Sequence, residues 1–314
     1  MNGKIVVSIR RGTVDDLARK FYELIFKDAF RERRGEGFQD LFSAIMEKRY
    51  PGDFQRIRPW GPQGDRKNDG YWRSQRTLFQ CYAPNELSAA ICIAKINEDF
   101  TGALPYWKQH FDTWVFVHNA KDGLGPEVMR RLLELEKKHK PMKVTAWGFE
   151  ELRQQVFGLP ESELASLLGP APSRQTMVEL GLPDLAPVLD QIARLPPADA
   201  PDLRPVPADK LERNLLSSSV ALLLHTGMAK AGLVRKYFVR KPALQDQIAE
   251  SFRQGYARLR EGTDSPDDVF VALQRFAGGG ELPSPARQAA VLAVLAFFFE
   301  ECDIFDRPQA SEPP

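Results

Sequence analysis

A chain of 314 residues, 43% hydrophobic and 27% charged, has the composition of a globular protein long enough for two cores, and this excludes disordered and fibrous classes. Its net charge of +1 excludes a global basic field, so any nucleic-acid footprint must be local. Three cysteines without metal-type spacing imply a reducing, cytoplasmic setting, and the short apolar runs at the N-terminus and at Ala289 to Phe299 imply neither a signal peptide nor a membrane span.

Thr13 followed by Asp16 resembles a capping box, and Leu17, Phe21, Leu24 and Ile25 recur at helical spacing, which predicts a first helix from Val14 to Arg33. Gly35 and Gly37 interrupt the pattern. Phe38, Leu41, Phe42, Ile45 and Met46 then predict a second helix that ends near Pro51. Phe54 to Arg58 reads as a strand. Residues 64 to 82 read as two further strands joined by a polar turn, the first entered by Asp65 and Asp69 among glycines, the second, Thr77 to Tyr82, rich in aromatic and β-branched residues. Antiparallel neighbours lie about 4.8 Å apart, so Asp69 and Gln80 would sit at matching depth and share a metal ion.

Leu87, Ile91, Ala94 and Ile96 predict a helix whose polar side carries Lys95, Glu98 and Asp99. Thr113 to His118 has a buried-strand pattern, Glu127 to Lys138 an amphipathic one, and Lys143 to Trp147 a strand pattern again. Strand, helix, strand implies a parallel crossover and an α/β domain. From Phe149 onward the pattern is helical. The prolines of 195 to 207 break any helix and mark a linker, followed by helices at about 208–226, 229–239, 243–261, 266–276 and 285–305. The expected organisation is an α/β domain over 1–158, a proline-rich helical connector over 159–207 and an all-α domain over 208–314.

Between Asp53 and Arg76 six cationic side chains face three acids, and Arg56, Arg58, Arg66 and Lys67 are the candidates to meet phosphates, although such a run is also what a solvated face looks like. Asp65 and Asp69 have a bland alternative too, since Asp beside Gly often caps its own turn. Cys302 in an apolar helix, His118 and His225 read as structural. No nucleophile triad stands out, and no Walker-type loop does either, so this chain is not expected to hydrolyse ATP itself.

The order Gly37-Phe38-Gln39 opening a helix, Gly64-Asp65 with Asn68-Asp69-Gly70, and Phe79-Gln80-Cys81-Tyr82 resembles the PD-(D/E)xK nuclease superfamily, particularly Mrr-like restriction endonucleases, over residues 14 to 118. The resemblance implies a restriction-endonuclease-like mixed sheet flanked by helices. It places Asp69 at the metal-binding aspartate, Gln80 at the acidic or amide position, and Gln39 at the helix glutamate, with Asp65 as a supplementary ligand for Mg²⁺ or Mn²⁺. Tyr82 stands where the family has lysine. A phenol with pKa about 10 does not supply that positive charge. Lys95 is the first candidate for a relocated lysine and Lys67 the second.

The C-terminal run, with its Phe299-Glu300-x-Cys302-Asp303-Ile304-Phe305 ending, Asp209-Lys210-Leu211, Asn214-Leu215, Val234 and Tyr237-Phe238, resembles the C-terminal domain of bacterial ABC-three-component, Lamassu-like anti-phage systems. That resemblance implies docking on a small middle subunit and an SMC-like ATPase. The combined expectation is a cytoplasmic, Mg²⁺-dependent endonuclease acting on double-stranded DNA under the control of partner subunits, possible homo-oligomers included. The alternative is a catalytically inactive nuclease-fold scaffold or DNA-binding adaptor.

Overall fold

In a computed structural model, which describes residues 15–59, 66–194, 214–239, 241–263, 265–278, 284–301 and 304–305, the α/β region and the helical region both form. Packing divides the chain into two units, one of residues Ile25–Leu168, the other of residues up to Leu24 with those from Gly169 onward. Helix α1 (Asp16–Glu32) begins in the second of these and ends in the first.

The α/β unit contains helices α2 (Gly35–Arg49), α3 (Ala89–Trp107), α4 (Pro126–Lys138), α5 (Phe149–Phe157) and α6 (Glu161–Leu168) around a five-stranded sheet. Its strands are β1 (Phe54–Arg56), β2 (Gly70–Trp72), β3 (Thr77–Tyr82), β4 (Thr113–His118) and β5 (Lys143–Trp147), in that spatial order. β1, β2 and β3 form an antiparallel meander, whereas β3–β4 and β4–β5 are parallel, so α3 and α4 serve as the crossovers that parallel neighbours require. The expected strand–helix–strand crossover is therefore present, and a second precedes it.

Alternation along β3 divides its side chains between two faces. Leu78 joins Trp114, Phe116, Val144 and the buried sides of α3 and α4 in one core. Phe79 meets Phe42 at 5.2 Å, Phe54 at 6.0 Å and Trp147 at 5.0 Å on the opposite face. Gly70 has a packing reason beyond the bend anticipated for it: a Cβ there would lie 2.4 Å from the Phe54 ring. β1 is shorter than the strand read over Phe54 to Arg58. α3 continues well past Ile96, because Phe100 and Ala103 extend its buried stripe.

In the other unit, α7 (Arg174–Glu179), α8 (Leu182–Ala193), α9 (Ser218–Met228), α10 (Ala231–Phe238), α11 (Pro242–Gly262), α12 (Pro266–Phe276) and α13 (Pro285–Glu300) pack without any strand among the described residues. Every residue of α13 from Gln288 to Phe299 is buried, as a helix apolar on all sides requires, and α7, α8, α9, α10 and α12 surround it. Ser217, Ser265 and Ser284 cap α9, α12 and α13 through their hydroxyls, and proline follows two of these caps in the first turn. The cap at Ser217 starts α9 later than the helix read from 208, whose first residues lie outside the described set. α13 ends at Glu300, short of 305.

α9 meets α13 at Gly227, where a Cβ would lie 2.5 Å from the Leu292 carbonyl oxygen and 2.7 Å from Ala296 Cβ. Backbone cannot yield as a flexible side chain would. Gly227→Ala should therefore lower stability by about 1–3 kcal/mol, read as a shift of the urea midpoint at unchanged slope.

Candidate functional site

Two of the three motif positions, Gln39 and Asp69, meet at the entrance to β2. Asp69 is 4% exposed. One carboxylate oxygen accepts a 2.7 Å hydrogen bond from the Gln39 side-chain amide on α2, and the other accepts a 2.6 Å bond from the backbone N–H of Cys81 on β3. Its own N–H donates to the Phe79 carbonyl at 2.9 Å. Turn chemistry is supplied by the neighbour: Asn68 Oδ1 accepts from Gly70 N–H at 3.0 Å. Asp69 instead reaches across to α2 and β3, which answers the bland alternative for this residue. Asp65 lies outside the described residues.

Gln80 and Tyr82 share the opposite face of β3 from Cys81. Gln80 is 6% exposed, and its Oε1 is a buried acceptor with no hydrogen-bond partner among the described residues. Tyr82 lies 5.7 Å from the Phe116 ring; burial, then the fields of Cys92 and Asp99, push its phenol up, so it stays neutral.

Lys95 and Lys67 are both held on α3. Lys95 Nζ lies 2.8 Å from Asp99 Oδ1 one helical turn on, and Lys67 Nζ pairs with Glu98 and lies 3.4 Å from the same Asp99 oxygen. Asp99 itself is fully buried, and its Oδ2 has no hydrogen-bond partner among the described residues. Burial raises its pKa while the Lys95 and Lys67 ammoniums oppose the rise. Asp99 is the residue that sequence reasoning left on a polar helix face. The spacing of Lys95 and Asp99 was a usable signal, but the inward turn of that face depends on Lys67 arriving from the β1–β2 connection.

The four candidate phosphate-binding cations fall into two groups. Arg56 pairs with Asp40 of α2, and Arg58 lies 3.4 Å from the same carboxylate. Arg66 stacks its guanidinium 4.0 Å over the Tyr106 ring, and the Lys67 stem crosses Gly102. Arg66 and Lys67 both adopt left-handed backbone, φ 57° and 60°, which a non-glycine residue occupies only when its contacts hold it there.

The remaining chemical candidates are quiet. Burial raises the Cys81 thiol far above its usual value and the Cys92 thiol to about 11, which leaves both protonated. His225 lies exposed on α9, and Cys302 lies outside the described residues. Among the described residues no three His, Cys, Asp or Glu side chains gather as a metal cluster, and no helix is long and apolar enough to cross a membrane.

Fold and site together define a two-part chain, a mixed α/β domain with a buried polar centre at the β2–β3 edge and a helical domain built around α13. Residues 183–306 match the model of a known family, the C-terminal domain 10 of the ABC-three component systems. The match supports the C-terminal resemblance read over 208–306, extends it across the proline-rich stretch, and points to a component of a multi-subunit anti-phage system. No curated protein and no solved structure matches the chain.

His118, on the β4 edge of this region, accepts from Ala120 N–H through Nδ1 at 3.2 Å, and burial, partly opposed by Glu151, depresses its pKa to about 4. Its unfolded value of about 6.5 is higher, so the unfolded chain binds the extra proton between these values. Stability is therefore fully present above pH 6.5 and is lost as pH falls toward 4, by roughly 3 kcal/mol. His118→Asn should remove this slope from urea unfolding measured across that pH range.

Proposed function

We propose that this chain is the effector of a multi-subunit anti-phage system, with a metal-dependent endonuclease domain in its α/β unit and a helical domain that docks partner subunits. The observation that carries the reading is the pair of bonds from Gln39 and from the Cys81 amide to the two oxygens of Asp69. They join the helix and turn positions of the PD-(D/E)xK resemblance to the backbone of β3, the strand that carries Gln80, and this supports the reading.

The donor set fits a hard cation. Mg²⁺ takes oxygen ligands, keeps several waters and needs one or two carboxylates. Asp69 supplies one, the unpartnered Gln80 Oε1 a second oxygen, and Asp65 of the sequence motif would complete the set. When bound, Mg²⁺ or Mn²⁺ would neutralise charge on the phosphate and acidify a water. Lys95, with its charge balanced by Asp99, would be the ammonium near that water. Arg56, Arg58, Arg66 and Lys67 would meet the backbone of double-stranded DNA by exchanging their present acidic or aromatic partners, which makes binding salt-dependent without base readout. The helical domain would dock on a small middle subunit and an SMC-like ATPase.

A specific observation favours a second reading. Both Asp69 oxygens already accept hydrogen bonds, the Tyr82 phenol is neutral, and Lys95 is paired with Asp99. These are also the features of a nuclease fold kept as a DNA-binding adaptor.

Plasmid cleavage in Mg²⁺ and in Mn²⁺, by the chain alone and with copurified partners, separates the two. The nuclease reading expects nicking or linearisation, its abolition by Asp69→Ala, and a loss of roughly a hundredfold or more with Lys95→Ala. Silence of the unsubstituted chain with its partners, alongside metal-independent DNA binding that Arg56→Ala and Arg58→Ala weaken, would establish the adaptor.

A further inference from the structure

The two groups of cations near Asp69 are built on one plan: a pair of positive side chains with a single exposed carboxylate between them. In the first group, Asp40 of α2 pairs with Arg56 and lies 3.4 Å from Arg58 through the same oxygen, and its side chain is 53% exposed. The guanidiniums are near neighbours, since burial first and then the Arg58 charge lower the Arg56 pKa. In the second group, Glu98 of α3 pairs with Lys67 and is 61% exposed. The Lys67 hydrogen bond and charge, then the Lys95 charge, hold its carboxyl below its ordinary value, so Glu98 sits in the field of both ammoniums.

Both groups flank Asp69. Ile57 N–H donates to the Asp69 carbonyl, and Arg56 and Arg58 stand on either side of Ile57 in sequence. Lys67 precedes Asp69 by two residues.

The fold fixes the cations far more firmly than it fixes these two acids. Asp99, fully buried, gathers Lys95 and Lys67 on one oxygen at 2.8 and 3.4 Å, while both lysine side chains stay partly exposed. Gly102 leaves room for the Lys67 stem, because a Cβ there would lie 2.9 Å from Lys67 Cγ. The Arg56 side chain is mostly buried as well. An exposed ion pair, by contrast, contributes little, since water screens it. The outer carboxylates can therefore leave while the paired cations remain in place. A phosphate offers those cations the same oxygen acceptors that a carboxylate does.

We infer that Asp40 and Glu98 occupy two backbone-phosphate subsites for a nucleic acid strand, one formed by Arg56 with Arg58 and the other by Lys67 with Lys95, and mask them until the strand displaces the carboxylates. This assignment rests on the DNA binding common to both readings above, and it requires nothing of a metal.

The test is fluorescence anisotropy of a labelled DNA duplex titrated with the full chain in EDTA, at about 50 mM and about 200 mM salt. Glu98→Gln and Asp40→Asn should each tighten binding about two- to fivefold at the lower salt, less at the higher, with the two gains multiplying when combined. Asp112→Asn is the equal-charge control: it frees Arg76 beside the start of β3, whereas Asp69 bonds near that strand's end, and it should leave affinity unchanged. Each subsite is then judged by its own double-mutant cycle. Lys67→Met leaves Lys95 on Asp99 and should remove most of the gain from Glu98→Gln; Arg56→Ala with Arg58→Ala should remove the gain from Asp40→Asn. Gains that persist in those backgrounds, or that Asp112→Asn matches, would mark a general effect of net charge and overturn the assignment. Unchanged affinity in both acid variants overturns it too; if Arg56→Ala and Arg58→Ala still weaken binding, the DNA-binding reading survives without it. A chain that binds no duplex in any form defeats both.

Discussion

The α/β unit depends on one buried carboxylate. Asp69 accepts from a helix on one side and from a central strand on the other, and so fixes the approach of α2, the β2 entrance and β3 at one point. A buried carboxylate is tolerated only when its oxygens are satisfied, and removing a partner exposes the full desolvation cost of a charge. The surrounding sequence follows from this requirement. Asn68 takes over the turn so that Asp69 is free to reach across, and Gly70 lets the Phe54 ring lie against the strand directly beneath it.

A second buried acid, Asp99 of α3, is solved differently. Asp99 gains two ammonium groups, one from its own helix and one from the connection before β2. The left-handed residues Arg66 and Lys67 are the cost of that arrangement, held by the Tyr106 ring and by the acids of α3. Charge pairing thus spends the basic run on structure in this state, and any encounter with phosphate is an exchange of partners rather than an addition to bare cations. Such exchange would make the proposed affinity sensitive to ionic strength twice over, through the intramolecular pairs and through the phosphates.

The helical unit rests on simpler physics. α13 has no polar face, so its neighbours must enclose it, and the closest of them approaches at a glycine because no side chain fits between two backbones. Serine caps followed by proline start α12 and α13, and the residues that carry the family match lie on this frame. A fully enclosed central helix would suit the docking role proposed for this unit, which calls for a fixed surface.

Local pattern determined much of this protein. Alternation at Thr113 to His118, the amphipathic stripe of α4, the all-apolar stretch of α13 and the proline run at 195 to 207 each encode their element through short-range sterics and hydrophobic periodicity, and these signals are written in consecutive residues. The α/β class followed from the order of those elements. The helical resemblance rested on residue patterns that the family match over 183–306 supports. Tertiary structure alone decided the chemistry. Whether Asp69 capped its own turn or reached Gln39, whether Lys67 came to Asp99, and whether Asn119 bonded the Arg33 carbonyl all depend on which segments, 30 residues apart in the case of Gln39 and Asp69, arrive at the same place. Hydrogen bonds and buried charges are satisfied across space, and no periodicity along the chain records where the partner will come from.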